Sequence, residues 1–178
     1  SNDRAITVIQ GQSGYYAEAT SETFTPTKAD TYYWIATYSG DANNTGVAGE
    51  CGDPGETVVV DKAQPGISTQ VSDDSIALPN GSVADTATIT GLSANATGTV
   101  DFVVFDNDEC SGDPVFTSND RALSGSGSTR TSTSATFTPV NAGTYYWIAT
   151  YSGDANNESI AGQCGDPGET VVVDKAQP

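Results

Sequence analysis

The chain has 178 residues, with six Lys plus Arg against 23 Asp plus Glu, no His and no Met, for a formal charge of −17. That balance excludes a general nucleic-acid binder, which needs clustered cations against phosphate, and disfavours an anionic membrane surface. Without histidine, Ser-His-Asp and Cys-His catalysis and His-based zinc sites are excluded as well, and no apolar run reaches the about 18 residues that membrane insertion requires.

The chain opens in mid-pattern on a strand-like segment, with no signal peptide, as a fragment or a matured product would. In Thr31–Asn44, alternation puts Tyr32, Trp34, Ala36 and Tyr38 on one face and Tyr33, Ile35 and Thr37 on the other, which predicts a strand with two unlike faces. Val60-Asp61-Lys62-Ala63-Gln64-Pro65 then runs almost directly into Ile67. So short a joint, without Gly/Ser excess, predicts a semi-rigid hinge and a rod-like array.

Ile67–Val71 and Ser75–Leu78 read as a broken strand A, Val83–Leu92 as B and Thr97–Asp106 as C. Pro114–Ala122 follows as C′, Thr129–Phe137 as E, Gly143–Gly153 as F and Glu169–Asp174 as G. Gly, Pro, Asn and Asp cluster between them, as turns require. Period-two spacing points Val83, Ala87, Ile89, Val100, Phe102, Val104 and Phe137 inward, with Tyr145, Trp147, Ala149, Val171 and Val173. Helical periodicity is absent, and an all-β sandwich is expected.

Thr31–Asn44 returns letter for letter as Thr144–Asn157, and Cys51–Pro65 as Cys164–Pro178, both displaced by 113 positions. Ser1–Ala5 matches Ser118–Ala122. Residues 66–178 therefore read as one whole repeat, and 1–65 as the C-terminal half (C′, E, F and G) of another. Half a sandwich would leave Tyr32, Trp34, Val58 and Val60 facing water, unless chain outside this sequence or a neighbouring molecule supplies the missing strands. Backward pairing of residues 66–106 onto 1–65 is the less usual alternative.

The approach Asn141-Ala142-Gly143-Thr144-Tyr145-Tyr146-Trp147 resembles strand F of immunoglobulin-type domains. Tyr145 takes the tyrosine-corner place and Trp147 the place of the buried cysteine. Lys28–Trp34 repeats the pattern, so Tyr32, Trp34, Tyr145 and Trp147 are the expected core anchors. With Ala94-Asn95-Ala96-Thr97-Gly98-Thr99-Val100-Asp101-Phe102 and the Tyr151-Ser152-Gly153-Asp154 corner, the chain resembles the bacterial immunoglobulin-like tandem repeats. The resemblance implies immunoglobulin-like β-sandwiches in tandem, serving as a stalk, adhesin or filament module outside the cell, and it carries over no binding residue.

Cys110 and Cys164 invite a bridge within the repeat, as in oxidising compartments. Strand directions favour a different pairing. Cys110 falls in the bottom loop and Cys164 in the top one, and ten strand residues span roughly 33 Å, so Cys110 would bond the Cys164 equivalent of the following repeat. A long F–G loop folding back, or free thiols, are the alternatives; under either bridged reading Cys51 lacks its mate in this sequence.

Asp106, Asp108, Asp154 and Asp166 offer hard oxygen ligands with which loops at a joint could chelate Ca²⁺, although no spacing matches an EF-hand. No other cofactor is expected. Asn43, Asn80, Asn95 and Asn157 begin N-glycosylation sequons in predicted loops. A Lys–Asn isopeptide at Lys62 or Lys175, or a Thr–Gln ester, is disfavoured. The expected function is a non-enzymatic, disulfide-stapled stalk at the cell surface, partnered by neighbouring repeats or copies of itself. The alternative is a carbohydrate- or protein-binding module using tip loops and the exposed Tyr33 and Tyr146.

Overall fold

Residues 4–177, described by a computed structural model, are strand and turn throughout, with no helix among them. The front stretch holds β1 (Thr7–Gly11), β2 (Gly14–Glu18), β3 (Asp30–Tyr33), β4 (Thr37–Tyr38), β5 (Val47–Ala48) and β6 (Thr57–Val60). Beyond Pro65 come β7 (Gly66–Val71), β8 (Ser75–Ala77), β9 (Asp85–Thr90), β10 (Thr99–Phe105) and β11 (Phe116–Ala122). They are followed by β12 (Arg130–Thr133), β13 (Gly143–Tyr151), β14 (Ile160–Ala161) and β15 (Thr170–Asp174).

From β7 onward the strands make an all-β sandwich of immunoglobulin-like arrangement. One sheet runs β11-β10-β13-β15-β8 with β14 on β13, and the other runs β12-β9-β7. Strand A is indeed broken. The chain changes sheets at Ser72–Asp74, where the Ser72 N–H donates to the Ala84 carbonyl at 2.8 Å. Every inward position expected from period two is buried, from Val83 on the inner face of B to Val173 on G. At the centre Trp147 is fully buried, with Phe116 and Phe137 edge-on to it at 5.8 and 6.1 Å between ring centroids. The indole is therefore the pin that an inter-sheet cystine would otherwise provide. The Tyr145 hydroxyl donates to the Asn141 carbonyl at 3.0 Å, a tyrosine corner. Tyr32 makes the same bond to Lys28 at 3.0 Å.

Among the described residues the front stretch has no strands equivalent to β7, β9 and β10, and the consequences are local. β3 pairs β6 as Asp30↔Val60 to Tyr33↔Thr57. β13 pairs β15 in the same register 113 positions on, Gly143↔Val173 to Tyr146↔Thr170. Yet β13 is continuous through Trp147, Ile148 and Ala149 because β10 pairs them with Val104, Val103 and Phe102. Among the described residues no strand takes the place of β10 beside Trp34–Ala36, and the equivalent strand splits into β3 and β4. The chain beyond Ala5, where the expected C′ ends, folds as the β1–β2 hairpin, Thr7↔Glu18 to Gly11↔Gly14. Tyr32 and Trp34 are consequently half-buried under Phe24 rather than core, and Val58 is exposed.

The sandwich is entered at one pole and left at the other. Gly66 lies opposite Thr90 at the end of β9, while β15 runs antiparallel to β13 and leaves beside Gly143. The linker lies on the entry pole. The Ala63 N–H donates to the Asn156 carbonyl and the Glu158 N–H to the Ala63 carbonyl, each at 2.9 Å. The Ala29 N–H, just ahead of β3, reaches Asn156 Oδ1 at 2.9 Å. Pro65 is buried.

Candidate functional site

Beyond β13 the chain turns through Ser152-Gly153-Asp154-Ala155-Asn156-Asn157. Gly153 has φ 71°, and a β-carbon there would stand 2.7 Å from the Ser159 amide nitrogen, so only glycine fits. Asp154 Oδ1 accepts from the N–H groups of Asn156 and Asn157 (2.7 and 2.9 Å) and from Asn157 Nδ2 (2.8 Å). Its Oδ2 accepts from the Thr97 N–H at 2.6 Å and is approached by the Tyr151 hydroxyl at 3.3 Å. Burial alone would raise its pKa, but the Thr97, Asn156 and Asn157 donors outweigh it and hold the carboxyl at about 2. Asn157, fully buried, accepts from the Ser93 N–H at 2.8 Å and donates to Ser93 Oγ at 2.9 Å. The corner is thus a clamp tying the end of strand F to the B–C loop.

The identical Asp41-Ala42-Asn43-Asn44 turn forms the same internal bonds, with Asp41 Oδ1 accepting from Asn43 N–H, Asn44 N–H and Asn44 Nδ2 at 2.7, 2.9 and 2.9 Å. Its side chains reach no second loop, and all four residues are exposed. One substitution should therefore have two different costs. Asn157→Ala strands the half-buried Ser93 N–H and empties a buried site, and costs about 2 kcal/mol, whereas Asn44→Ala costs under about 0.5 kcal/mol. Urea denaturation of the two variants checks the difference.

Cys110 and Cys164 are bonded to each other within the same sandwich, Cα–Cα 5.8 Å, and this corrects the inter-repeat pairing favoured above. The strand-length argument fails because the F–G segment doubles back. β14 pairs Ile160 and Ala161 with Tyr151 and Thr150. The chain then descends along β13, with the Gly162 N–H on the Ala149 carbonyl and the Trp147 N–H on the Glu169 carbonyl. Cys164 is carried down to the C–C′ loop, its Sγ 3.2 Å from the Asp108 carbonyl oxygen. Cys51 is exposed and unbonded.

Two groups not singled out from the sequence are buried carboxyls. Asp85 and Glu169 are essentially inaccessible; among the described residues neither Asp85 oxygen nor Glu169 Oε2 has a hydrogen-bond partner. Thr69 Oγ1 donates to Glu169 Oε1. Burial pushes Glu169 up to about 7, with Asp85 and Asp166 adding repulsion against the Thr69 bond, and burial pushes Asp85 up to about 6 against the neighbouring Thr86 and Gln70 amides. Both sit in phase with expected inward positions, Asp85 two before Ala87 and Glu169 two before Val171; that parity is the signal that could have found them.

The four candidate Ca²⁺ ligands are not brought together. Asp154 belongs to the entry-pole turn and spends its oxygens there, Asp106 and Asp108 lie in the C–C′ loop, and Asp166 accepts from the Gln163 N–H at 2.9 Å. Among the described residues no three Asp, Glu, Cys or His side chains could hold a metal ion. Of the sequons, Asn43, Asn80 and Asn95 are exposed, but Asn157 is not accessible to a glycosylating enzyme, because its Nδ2 is buried and bonded to Ser93 and Asp154. Tyr33 is exposed and Tyr146 half-buried.

No protein-family model and no curated protein matches the chain. Among solved structures it is similar to the crystal structure of the CARDB domain of a Pyrococcus furiosus protein in complex with di-metal ions. The identity is 17% and the TM-score 0.38, over 63% of this chain and 96% of that one. The solution NMR structure of the same domain is similar at 16% identity and TM-score 0.37, over 65% of this chain and 98% of that one.

Proposed function

We propose that the chain is a non-enzymatic, load-bearing module of an extracellular adhesin or surface filament, with 66–178 a complete repeat and 1–65 the C-terminal half of another. Its resemblance to bacterial immunoglobulin-like tandem repeats led to this reading. The observation that carries it is the path of the chain through the sandwich. Strand A enters at one pole, strand G leaves at the other, and the two are joined by the parallel β8–β15 ladder, Val172↔Ser75 to Asp174↔Ala77. Tension between the ends loads those hydrogen bonds together, in shear, rather than one at a time. The bridge between Cys110 and Cys164 fits an oxidising, extracellular setting. The tip turn that a ligand-binding reading would use is engaged with the linker and the B–C loop.

Fusing further copies of residues 66–178 to the chain tests the spacer role by small-angle X-ray scattering. The nine residues of β13 alone span about 30 Å at roughly 3.3 Å per residue. The maximum dimension should therefore grow by at least about 30 Å with every added copy. Growth as the square root of copy number, the behaviour of a flexible string, would contradict it.

A further inference from the structure

Each pole of this protein carries a half of the joint seen at Ala63. At the joint, two backbone N–H groups from one side, Ala29 and Ala63, are accepted by the side chain and the carbonyl of Asn156, and the Glu158 N–H returns a bond to the Ala63 carbonyl. The first two residues mark the loop before strand F and the exit from strand G. The last two belong to the turn after strand F.

At the exit pole of the sandwich the same donors recur 113 positions on, as Ala142 before β13 and Ala176 after β15, within Lys175-Ala176-Gln177-Pro178, the letters of Lys62–Pro65. Ala142 and Ala176 are both exposed. In the front stretch the acceptor recurs as Asn43. Its turn is already folded as the Asn156 turn is, with the Asp41 N–H on the Asn44 carbonyl at 2.9 Å just as the Asp154 N–H lies on the Asn157 carbonyl at 2.9 Å. Only backbone groups and one Asn side chain take part. The change from Glu158 to Thr45 therefore costs the acceptor nothing.

We propose that these two ends are docking surfaces for further copies of the same repeat: Ala142 and Ala176 receive the Asn156-type turn of a following copy, and Asn43 receives the exit of a preceding one. The inference deepens the spacer reading, on which it rests for the identity of the partner. It makes Asn156 and its equivalents the residues that set the angle between successive sandwiches. Because each contact is a few hydrogen bonds, it needs the high effective concentration that covalent linkage supplies.

The test is amide hydrogen exchange by NMR on two proteins, the 178-residue chain and the same chain with a second copy of residues 66–178 fused after Pro178. The Ala63 amide, protected in both, is the internal standard. In the fused chain the Ala176 amide should exchange at least about tenfold more slowly than in the single chain. Asn156→Ala in the appended copy should release the Ala142 amide while leaving Ala176 protected through the carbonyl. An Ala176 amide as open in the fused chain as in the single one overturns the proposal, as does an Ala63 amide unprotected in both. Exchange at Ala176 without protection, in an array that nonetheless scatters as an extended rod, sinks the joint and spares the spacer reading.

Discussion

Replacing Cys164 by serine lowers stability by about 4 kcal/mol, the loop-closure entropy of a bridge spanning 54 residues. Calorimetry should show the melting temperature of the sandwich falling by roughly 10–15 °C. Added reductant should reproduce the fall in the unsubstituted chain. Cys51→Ser should change nothing measurable, since that thiol is exposed and unbonded. Equal effects at the two positions, or a reductant-insensitive melt, would mean that the bridge does not form in the folded sandwich.

Stability should peak near pH 4–5 and fall as the pH rises to 8, which is unusual for an acidic protein whose carboxylates are otherwise well solvated. Glu169 titrates near 7 in the fold against 4.5 for the free group, and Asp85 near 6 against 3.8. Both folded values are raised, so the folded state holds the extra protons. Their contribution is fully present below the unfolded values and is lost as the pH climbs through 6 and 7. For Glu169 the loss is about 3 kcal/mol at about 1.4 kcal/mol per unit. Asp154 works in the opposite sense, since its value is lowered to about 2, and its contribution disappears as the pH falls from 4 towards 2. Glu169→Gln keeps an acceptor for Thr69 and removes the buried charge. At pH 8 it should stabilise the protein by about 2 kcal/mol and flatten the profile between pH 5 and 8. Urea midpoints across pH measure both. A variant less stable than the parent at pH 8 would show that the charge is compensated.

What the sequence disclosed and what it hid follow from the range of the forces concerned. The inner face of β10, with Val100, Phe102 and Val104 buried beside exposed Asp101, is written in a two-residue alternation that any neighbour can read. The break in strand A needed only Ser72-Asp73-Asp74, and the tyrosine corner only Tyr145 and its distance from Asn141. The cystine is not legible in the sequence because its geometry depends on where a long loop goes. Nothing local says that Ile160 and Ala161 pair back onto β13 and lower Cys164 by half a strand. Asn157 has the spelling of a glycosylation acceptor, and only the B–C loop, more than 60 positions away, makes it a buried clamp. The front stretch was legible in composition but not in pairing. The β1–β2 hairpin begins at Thr7, beyond the Ser1–Ala5 match to C′, where the other copy has only the loop between C′ and E, so the repeat offers no template for its pairing.

A string of these sandwiches pulled from both ends in a single-molecule force measurement exposes the load-bearing role directly. Each copy should break in one cooperative peak, because the parallel β8–β15 ladder must yield at once. The bridge withholds 54 of the 113 residues of a repeat. At about 3.6 Å per residue, less the about 30 Å that a folded copy already spans, each peak should release about 180 Å under oxidising conditions and about 370 Å after reduction. A smooth extension without peaks, or about 370 Å released with the cystine intact, would contradict a stapled, tension-bearing repeat.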